Sequence, residues 1–256
     1  MHTLSRFAFI LLLAFSNLAF AQASSTYEPT VGQEGKDVVW VPTPQILVEK
    51  MLDMAKVKPG EIVMDLGSGD GRTVITAAKR GARAYGIEYN PDMVELSKRN
   101  AAKEGVSANA TFVKADLFET DFSNANVITM FLLPDINIKL RPKILDLKPG
   151  TRIVSNSFTM GDWAADEKNT ISAEQGCNTS WCTALLWIVP AKVAGTHKLA
   201  LGDLVLKQEF QVLSGTFTTG GKTFALEGKV RGDDVSFKAG GKEYHGKMRG
   251  RTLELR

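Results

Sequence analysis

Between Val63 and Arg72 the chain reads VMDLGSGDGR, a short apolar run that breaks into glycines at Gly67, Gly69 and Gly71. Such a run, followed by a helical pattern from Thr73 to Lys79, predicts a strand, a tight loop and a helix. Glycines in the loop permit backbone turns that side chains forbid, and they let a ligand approach the backbone closely. The unit then repeats. Ala84 to Glu88 reads as a second strand, and Asn90-Pro91 opens a helix that ends at Gly105. Thr111 to Lys114 and Val127 to Leu133 read as a third and a fourth strand. A helix over Asp135 to Leu147 is expected to break at Pro142, which lacks the backbone N–H a helix interior needs. Arg152 to Phe158 is the fifth strand, and Thr170 to Ala173 with Ala184 to Val189 form a further pair without a helix between them. Repeated strand–helix units imply an α/β domain with a doubly wound, mostly parallel sheet covered on both faces. Ahead of them, Thr43 is expected to cap a helix with Pro44 in its first turn. Leu47, Met51, Met54 and Ala55 of that helix fall at helical spacing.

The loop's spacing narrows its ligand. A dinucleotide fingerprint needs Gly-x-Gly-x-x-Gly. Counting from Gly67 the last position is Arg72, and from Gly69 it is Val74, so both registers fail. No Lys-Ser/Thr pair follows, which excludes a phosphate loop. Leu66 stands where a nucleophile elbow around Ser68 would need glycine. S-adenosylmethionine (SAM) has no pyrophosphate; it presents an ammonium, a ribose and an adenine. Asp65 is placed to face the ammonium. Glu88 ends the second strand, where a carboxylate takes ribose hydroxyls in sheets of this kind. Asp116, followed by Leu117, comes after the third strand and is placed to accept from an adenine amino group, although Asp is also a common helix cap. The expected cofactor set is Asp65, Gly67, Ser68, Gly69, Gly71, Glu88, Asp116 and Leu117.

These segments resemble a known family. DLGSGDGR is similar to motif I of the seven-strand, class I SAM methyltransferases, whose Rossmann-like fold the strand pattern matches. Val41-Pro42-Thr43-Pro44, Gly86-Ile87-Glu88, Phe131-Leu132-Leu133-Pro134 with Asn137, Pro149-Gly150-Thr151-Arg152 and Met160-Gly161-Asp162-Trp163 narrow the resemblance. It points to bacterial relatives of the protein-lysine methyltransferases that act on the ATP synthase c subunit and the adenine nucleotide translocase. The likeness runs over about Val38 to Ala191. It implies a protein acceptor, a membrane or envelope protein among the candidates. The acceptor pocket is expected from Trp40, Pro42, Thr43, Phe131, Leu132, Leu133, Pro134 and Asn137. Asp135 is a candidate to assist proton loss, with a helix-cap role as the alternative. Phe131 stands where the family often has Tyr, Ser155 to Phe158 departs from the usual form, and the C-terminal segment has no counterpart in the mitochondrial members.

That segment, residues 191–256, loses helical spacing. Alternating strands are separated by Gly202-Asp203, Gly220-Gly221, Gly232-Asp233-Asp234, Gly240-Gly241 and Arg249-Gly250, which favour tight hairpins. It predicts a small antiparallel β-meander of about six strands, leaning on the first domain or curling into a partial barrel. At the other end, Arg6, the apolar run Phe7 to Phe15 and Ala19-Phe20-Ala21 read as a signal peptide over residues 1–21. The run is short of the roughly 20 residues a spanning helix needs. The expectation is therefore an exported protein, periplasmic or secreted, with an uncleaved inner-membrane anchor as the alternative. Residues 22–37 read as a flexible lead-in and residues 38–190 as the methyltransferase domain.

In an oxidising compartment Cys177 and Cys182 can close a small loop. Two unpaired thiols, or a metal site with further ligands, are the alternatives, and no metal is expected. A net charge of +3 without a basic block gives no case for nucleic acid. The expected activity is methyl transfer to a nucleophile, most readily a protein lysine. A small-molecule methyltransferase and an exported, non-catalytic binding protein of this fold are the alternatives.

Overall fold

The computed structural model describes residues 27–256. The export signal expected at 1–21 lies outside the described residues. No helix among the described residues is long and apolar enough to cross a membrane.

The first domain opens with α1 (Gln45–Met54), which buries Leu47, Val48, Met51 and Leu52 as one stripe. Pro44, rather than Thr43, stands at its N-cap, and no side chain caps it. Thr43 is turned inward instead, where its hydroxyl accepts from Asn156 Nδ2 at 3.3 Å and its carbonyl from Arg72 at 2.9 Å. There follow β1 (Ile62–Leu66), α2 (Arg72–Lys79), β2 (Arg83–Glu88), α3 (Pro91–Lys103) and β3 (Ala110–Lys114). Then come β4 (Val127–Met130), α4 (Pro134–Leu145), β5 (Arg152–Asn156), β6 (Glu167–Thr170) and β7 (Thr183–Ile188). The sheet order is β3-β2-β1-β4-β5-β7-β6. Its first five strands are parallel, while β7 runs antiparallel to both β5 and β6. Alternation along the strands feeds two apolar cores, one on each face: Val63, Val127 and Val154 on one, Met64, Ile128 and Ile153 on the other. The edge strand β6 is polar and exposed throughout, which discourages pairing with another chain.

Four elements differ from expectation. Helix α4 runs through Pro142 without a break. Its buried residues Ile136, Leu140 and Ile144 fix it to the core, while the carbonyl that Pro142 leaves without a donor belongs to Ile138, on the solvent side. Strand β4 ends at Met130 and β5 at Asn156, short of the predicted ends, because the following residues turn into the site. Strand β6 begins earlier than its sequence suggested.

The second sheet is a meander of seven strands, not about six: β8 (Gly195–Leu199), β9 (Gly202–Glu209), β10 (Val212–Thr219), β11 (Lys222–Arg231), β12 (Asp234–Ala239), β13 (Lys242–Arg249) and β14 (Thr252–Leu255). The extra turn is Phe210-Gln211, which lacks glycine; Phe210 itself adopts the left-handed conformation, φ +51°. Inward residues such as Leu206, Leu213, Phe217, Val230 and Phe237 share one core. The two edge strands, β8 and β14, approach each other, so the sheet curls toward a barrel.

The turn at Phe210 is also where the two sheets join. Its ring stacks on Trp163 with centroids 5.9 Å apart, and the Arg141 guanidinium lies 5.2 Å over it. Gln211 Nε2 donates to the Ala164 carbonyl at 2.8 Å, and Arg231 pairs with Glu167. A left-handed phenylalanine is unfavourable alone; here the ring's burial against the first domain offsets that cost.

Candidate active site

The parallel strands end in a row, and the cleft opens beyond their carboxyl ends, as the crossover geometry of such sheets requires. The loop after β1 keeps its glycines for steric reasons. At Gly69, φ is +53° and a Cβ would fall 2.6 Å from Trp40 Nε1. The Ser97 hydroxyl donates to the Gly69 carbonyl at 2.8 Å, and Asn100 Nδ2 to the Asp70 carbonyl at 2.9 Å. Helix α3 thus clamps the loop. Glu88, at the end of β2, accepts from the Gly69 N–H and the Asn90 N–H, each at 2.9 Å. Its two oxygens therefore fix the loop and the start of α3, and each retains a lone pair directed elsewhere.

Asp65 is buried at the base of the cleft and accepts from the Thr129 hydroxyl at 2.7 Å. Burial pushes its carboxyl from the ordinary 3.8 up to about 7; hydrogen bonds from Thr129 and Thr73 oppose the shift, and the Glu88 and Asp70 charges add to it. Asp116 is held well below the ordinary carboxylate range, chiefly by its hydrogen bond to Lys36 and also by the Phe118 N–H at 2.8 Å.

Asp65, Gly67, Ser68, Gly69, Glu88, Asp116 and Leu117 all line one cleft. Gly71 does not. It lies behind the loop, where a Cβ would meet the Phe112 ring at 2.8 Å and Ser97 at 2.9 Å, so its requirement is packing rather than ligand approach. Trp40, Pro42, Thr43, Phe131 and Leu132 line the same cleft. Leu133 lines a second, adjoining cavity. Pro134 and Asn137, expected in the acceptor pocket, line neither. Pro134 is the first residue of α4, and Asn137 is fully buried, donating to the Phe158 and Thr159 carbonyls at 3.3 and 3.1 Å. Asp135 is exposed in the first turn of α4, outside both cavities.

Several lining residues escaped sequence reasoning. Tyr27 to Asp37 does not trail away from the body. Gly32 N–H donates to the Trp40 carbonyl at 2.8 Å, Trp40 N–H to the Gln33 carbonyl at 2.9 Å, and Lys36 pairs with Asp116 across the cleft while lying 4.9 Å over the Tyr89 ring. Tyr89 and Met93, just beyond Glu88, were accessible from their position after the second strand; Lys36 carried no pattern at all. Cys177 and Cys182 are joined in a disulfide, and no group of three or more metal-type ligands occurs among the described residues.

The cleft fits SAM chemically. Its base carries a carboxyl whose ionisation a cation would favour, its middle a backbone-anchored carboxylate suited to a diol, and its walls are apolar and glycine-bearing. With this strand order, the fold and cleft define a class I SAM-dependent methyltransferase. Residues 65–167 match the family described as the ANTKMT methyltransferase domain. A protein-lysine N-methyltransferase of Saccharolobus islandicus is 46% identical over 142 residues, 54% of this chain and 87% of that protein. The human lysine N-methyltransferase of the ATP synthase c subunit is 34% identical over 143 residues, 56% of this chain and 59% of that protein. A solved RNA methyltransferase from Salinibacter ruber, bound to S-adenosyl-L-homocysteine (SAH), superposes with a TM-score of 0.54 at 42% identity, covering 60% of this chain and 96% of that one. The chain belongs to the ANTKMT-type methyltransferase family, and SAM is its cofactor.

The elevated Asp65 carboxyl has a measurable consequence. Its folded value lies above the ordinary one, so the free protein holds this proton up to about pH 7 and loses stability as pH rises from 3.8 toward 7. A cofactor ammonium at Asp65 lowers that value again, so binding below pH 7 must expel the proton. SAM affinity is expected to fall by up to about tenfold per pH unit below 7 and to level off above it. Calorimetry across that range checks this; Asp65→Asn should flatten the profile.

Proposed function

We propose that this methyltransferase transfers the SAM methyl group to the side-chain amine of a protein lysine. The observation that carries the reading is the second cavity. It adjoins the cofactor cleft across Phe131; Val39, Val41, Leu133, Phe158 and Trp181 give it apolar walls and Glu34, Lys36 and Asp37 a charged side, so a long aliphatic stem with a charged head can enter toward the cofactor. Likeness to relatives named for lysine methylation supports it.

Bound SAM supplies a methyl group already activated on a sulfonium. The protein's share is to hold the amine in line and exclude water, which supplies roughly 7–11 kcal/mol in well-oriented systems. The ammonium, once captured, must lose its proton before transfer, and the apolar walls nearest the cofactor disfavour the charged form there. Phe131, Leu132 and Leu133 supply that environment at the junction of cleft and channel. No general base is required beyond water at the channel mouth.

We place the protein outside the cytosol. The residue pattern at 1–21 and the Cys177–Cys182 disulfide support this. The acceptor is then an envelope or secreted protein.

Methyl-labelled SAM incubated with the purified protein and an envelope extract tests the acceptor class. Label should enter protein and appear on lysine after hydrolysis. Label in solvent-extractable material, or in added RNA, would overturn the lysine reading.

A further inference from the structure

We propose that the acceptor lysine is gripped by an aromatic box of Phe131, Phe158 and Trp181, and that the Cys177–Cys182 bond holds the box closed. The proposal rests on the lysine reading and gives it a specificity element.

The three rings come from distant parts of the chain. Phe131 follows β4, Phe158 follows β5, and Trp181 lies just before Cys182 and the start of β7. Phe131 and Phe158 stack with centroids 5.9 Å apart, and Trp181 lies 6.0 Å from the first and 5.0 Å from the second, so the rings touch one another and offer a lysine their cavity-facing surfaces rather than a gap between them. All three line the second cavity, and Phe131 also lines the cofactor cleft, so whatever the rings hold faces the methyl donor's chamber. Glu34 and Asp37 line the same cavity, both exposed. Carboxylates together with aromatic faces suit a cation on an aliphatic stem, which is a lysine side chain. The one lysine among the cavity's lining residues, Lys36, pairs with Asp116 and also approaches Asp37 at 3.9 Å, so Glu34 is the lining carboxylate with no cation beside it among the described residues.

Two of the rings are held by separate devices. Ser157 takes the left-handed conformation, φ +61°, which turns Phe158 off β5, and Asn137 fixes the Phe158 carbonyl. Trp181 is carried on an irregular, largely exposed loop. What anchors that loop is the disulfide, with both cysteines buried, the Ile171–Cys182 backbone bond at 2.9 Å, and the Cys177 N–H to the Ser172 carbonyl at 3.2 Å. Reduction by a dithiol transfers two electrons and two protons to Cys177 and Cys182 and leaves the reagent as its cyclic disulfide. The loop closure is then lost, and Trp181 is freed from the box.

The test uses SAH-saturated protein titrated with Nα-acetyl-lysine methylamide, observed through the indole N–H signal of Trp181, assigned by its loss in Trp181→Phe. The signal should shift saturably, and the norleucine analogue, lacking the ammonium, should bind about five-fold or more weaker. Dithiol reduction, or Cys177→Ser with Cys182→Ser, should weaken lysine binding about five-fold or more while SAH affinity stays within about two-fold. In turnover, Trp181→Ala should raise KM for a lysine peptide more than it lowers kcat, and Trp181→Phe should recover most of it. If lysine is methylated but the Trp181 signal ignores lysine, or reduction changes nothing, the box is overturned while the lysine reading stands. If the signal responds as expected but label goes only to another acceptor class, the lysine reading falls and the cation-binding box stands.

Discussion

Replacing Glu88 with alanine is expected to weaken SAM binding by about 100-fold, the largest functional loss from any single polar residue in the cleft. The carboxylate already accepts from the Gly69 and Asn90 N–H groups. It therefore ties the glycine loop to the start of α3, and its remaining lone pairs are free to accept from a ribose diol. Hydrogen bonds to a charged group contribute about 1.5–3 kcal/mol each. Losing two to the cofactor and loosening the loop amounts to about 3 kcal/mol, or two decades in affinity. Glu88→Gln keeps one acceptor oxygen but points an amide N–H2 at one of the two backbone donors, so about a ten-fold loss is expected. Calorimetric titration with SAM measures both. Equal affinity in wild type and Glu88→Ala would remove Glu88 from the site.

The largest stability effect is expected at Trp163. The ring is fully buried, stacks on Phe210 at 5.9 Å and meets Trp187 at 6.3 Å, so it packs the seam between the two sheets as well as the core of the first. Trp163→Ala should cost about 3–5 kcal/mol through the cavity it leaves. At roughly 2–4 °C per kcal/mol for a chain of this size, Tm should drop by about 10 °C. Trp163 Nε1 is buried without a hydrogen-bond partner. Trp163→Phe removes that unpaired donor along with some volume, so its cost should be clearly smaller. Thermal unfolding followed by circular dichroism separates the two. A loss as large for phenylalanine as for alanine would show that the indole does more than fill space.

The strand–helix alternation was legible because each unit carried its own local signal. Asn90-Pro91 starts α3 with the Asn90 side chain accepting from the Asp92 N–H at 2.9 Å, and Gly105 follows its end at φ +70°. The Gly220-Gly221 and Gly240-Gly241 turns were likewise plain. Misreadings arose where a tertiary contact overrode local preference. Pro142 stays helical because Leu140 and Ile144, two residues to either side, are buried, and Phe210 makes a turn because its ring is taken up by Trp163. In the cleft, the acids at strand ends followed from the fold's geometry. Lys36 over Asp116, and Trp181 beside Phe131, did not. These residues are far apart in sequence, and no periodicity or spacing reports such a meeting. Asn137 shows the opposite error: helical proximity to the Leu-Leu-Pro stretch suggested a pocket residue, whereas its amide is spent on the carbonyls behind Phe158.

The central claim is that this cleft binds SAM through Asp65 and Glu88. Titration of the purified protein with SAM and with SAH, alongside Glu88→Ala at matched folding by circular dichroism, tests it most directly. The structure predicts one site per chain, binding of both SAM and SAH, and about 100-fold weaker binding in Glu88→Ala. A natively folded wild-type protein giving no heat with either compound would contradict it.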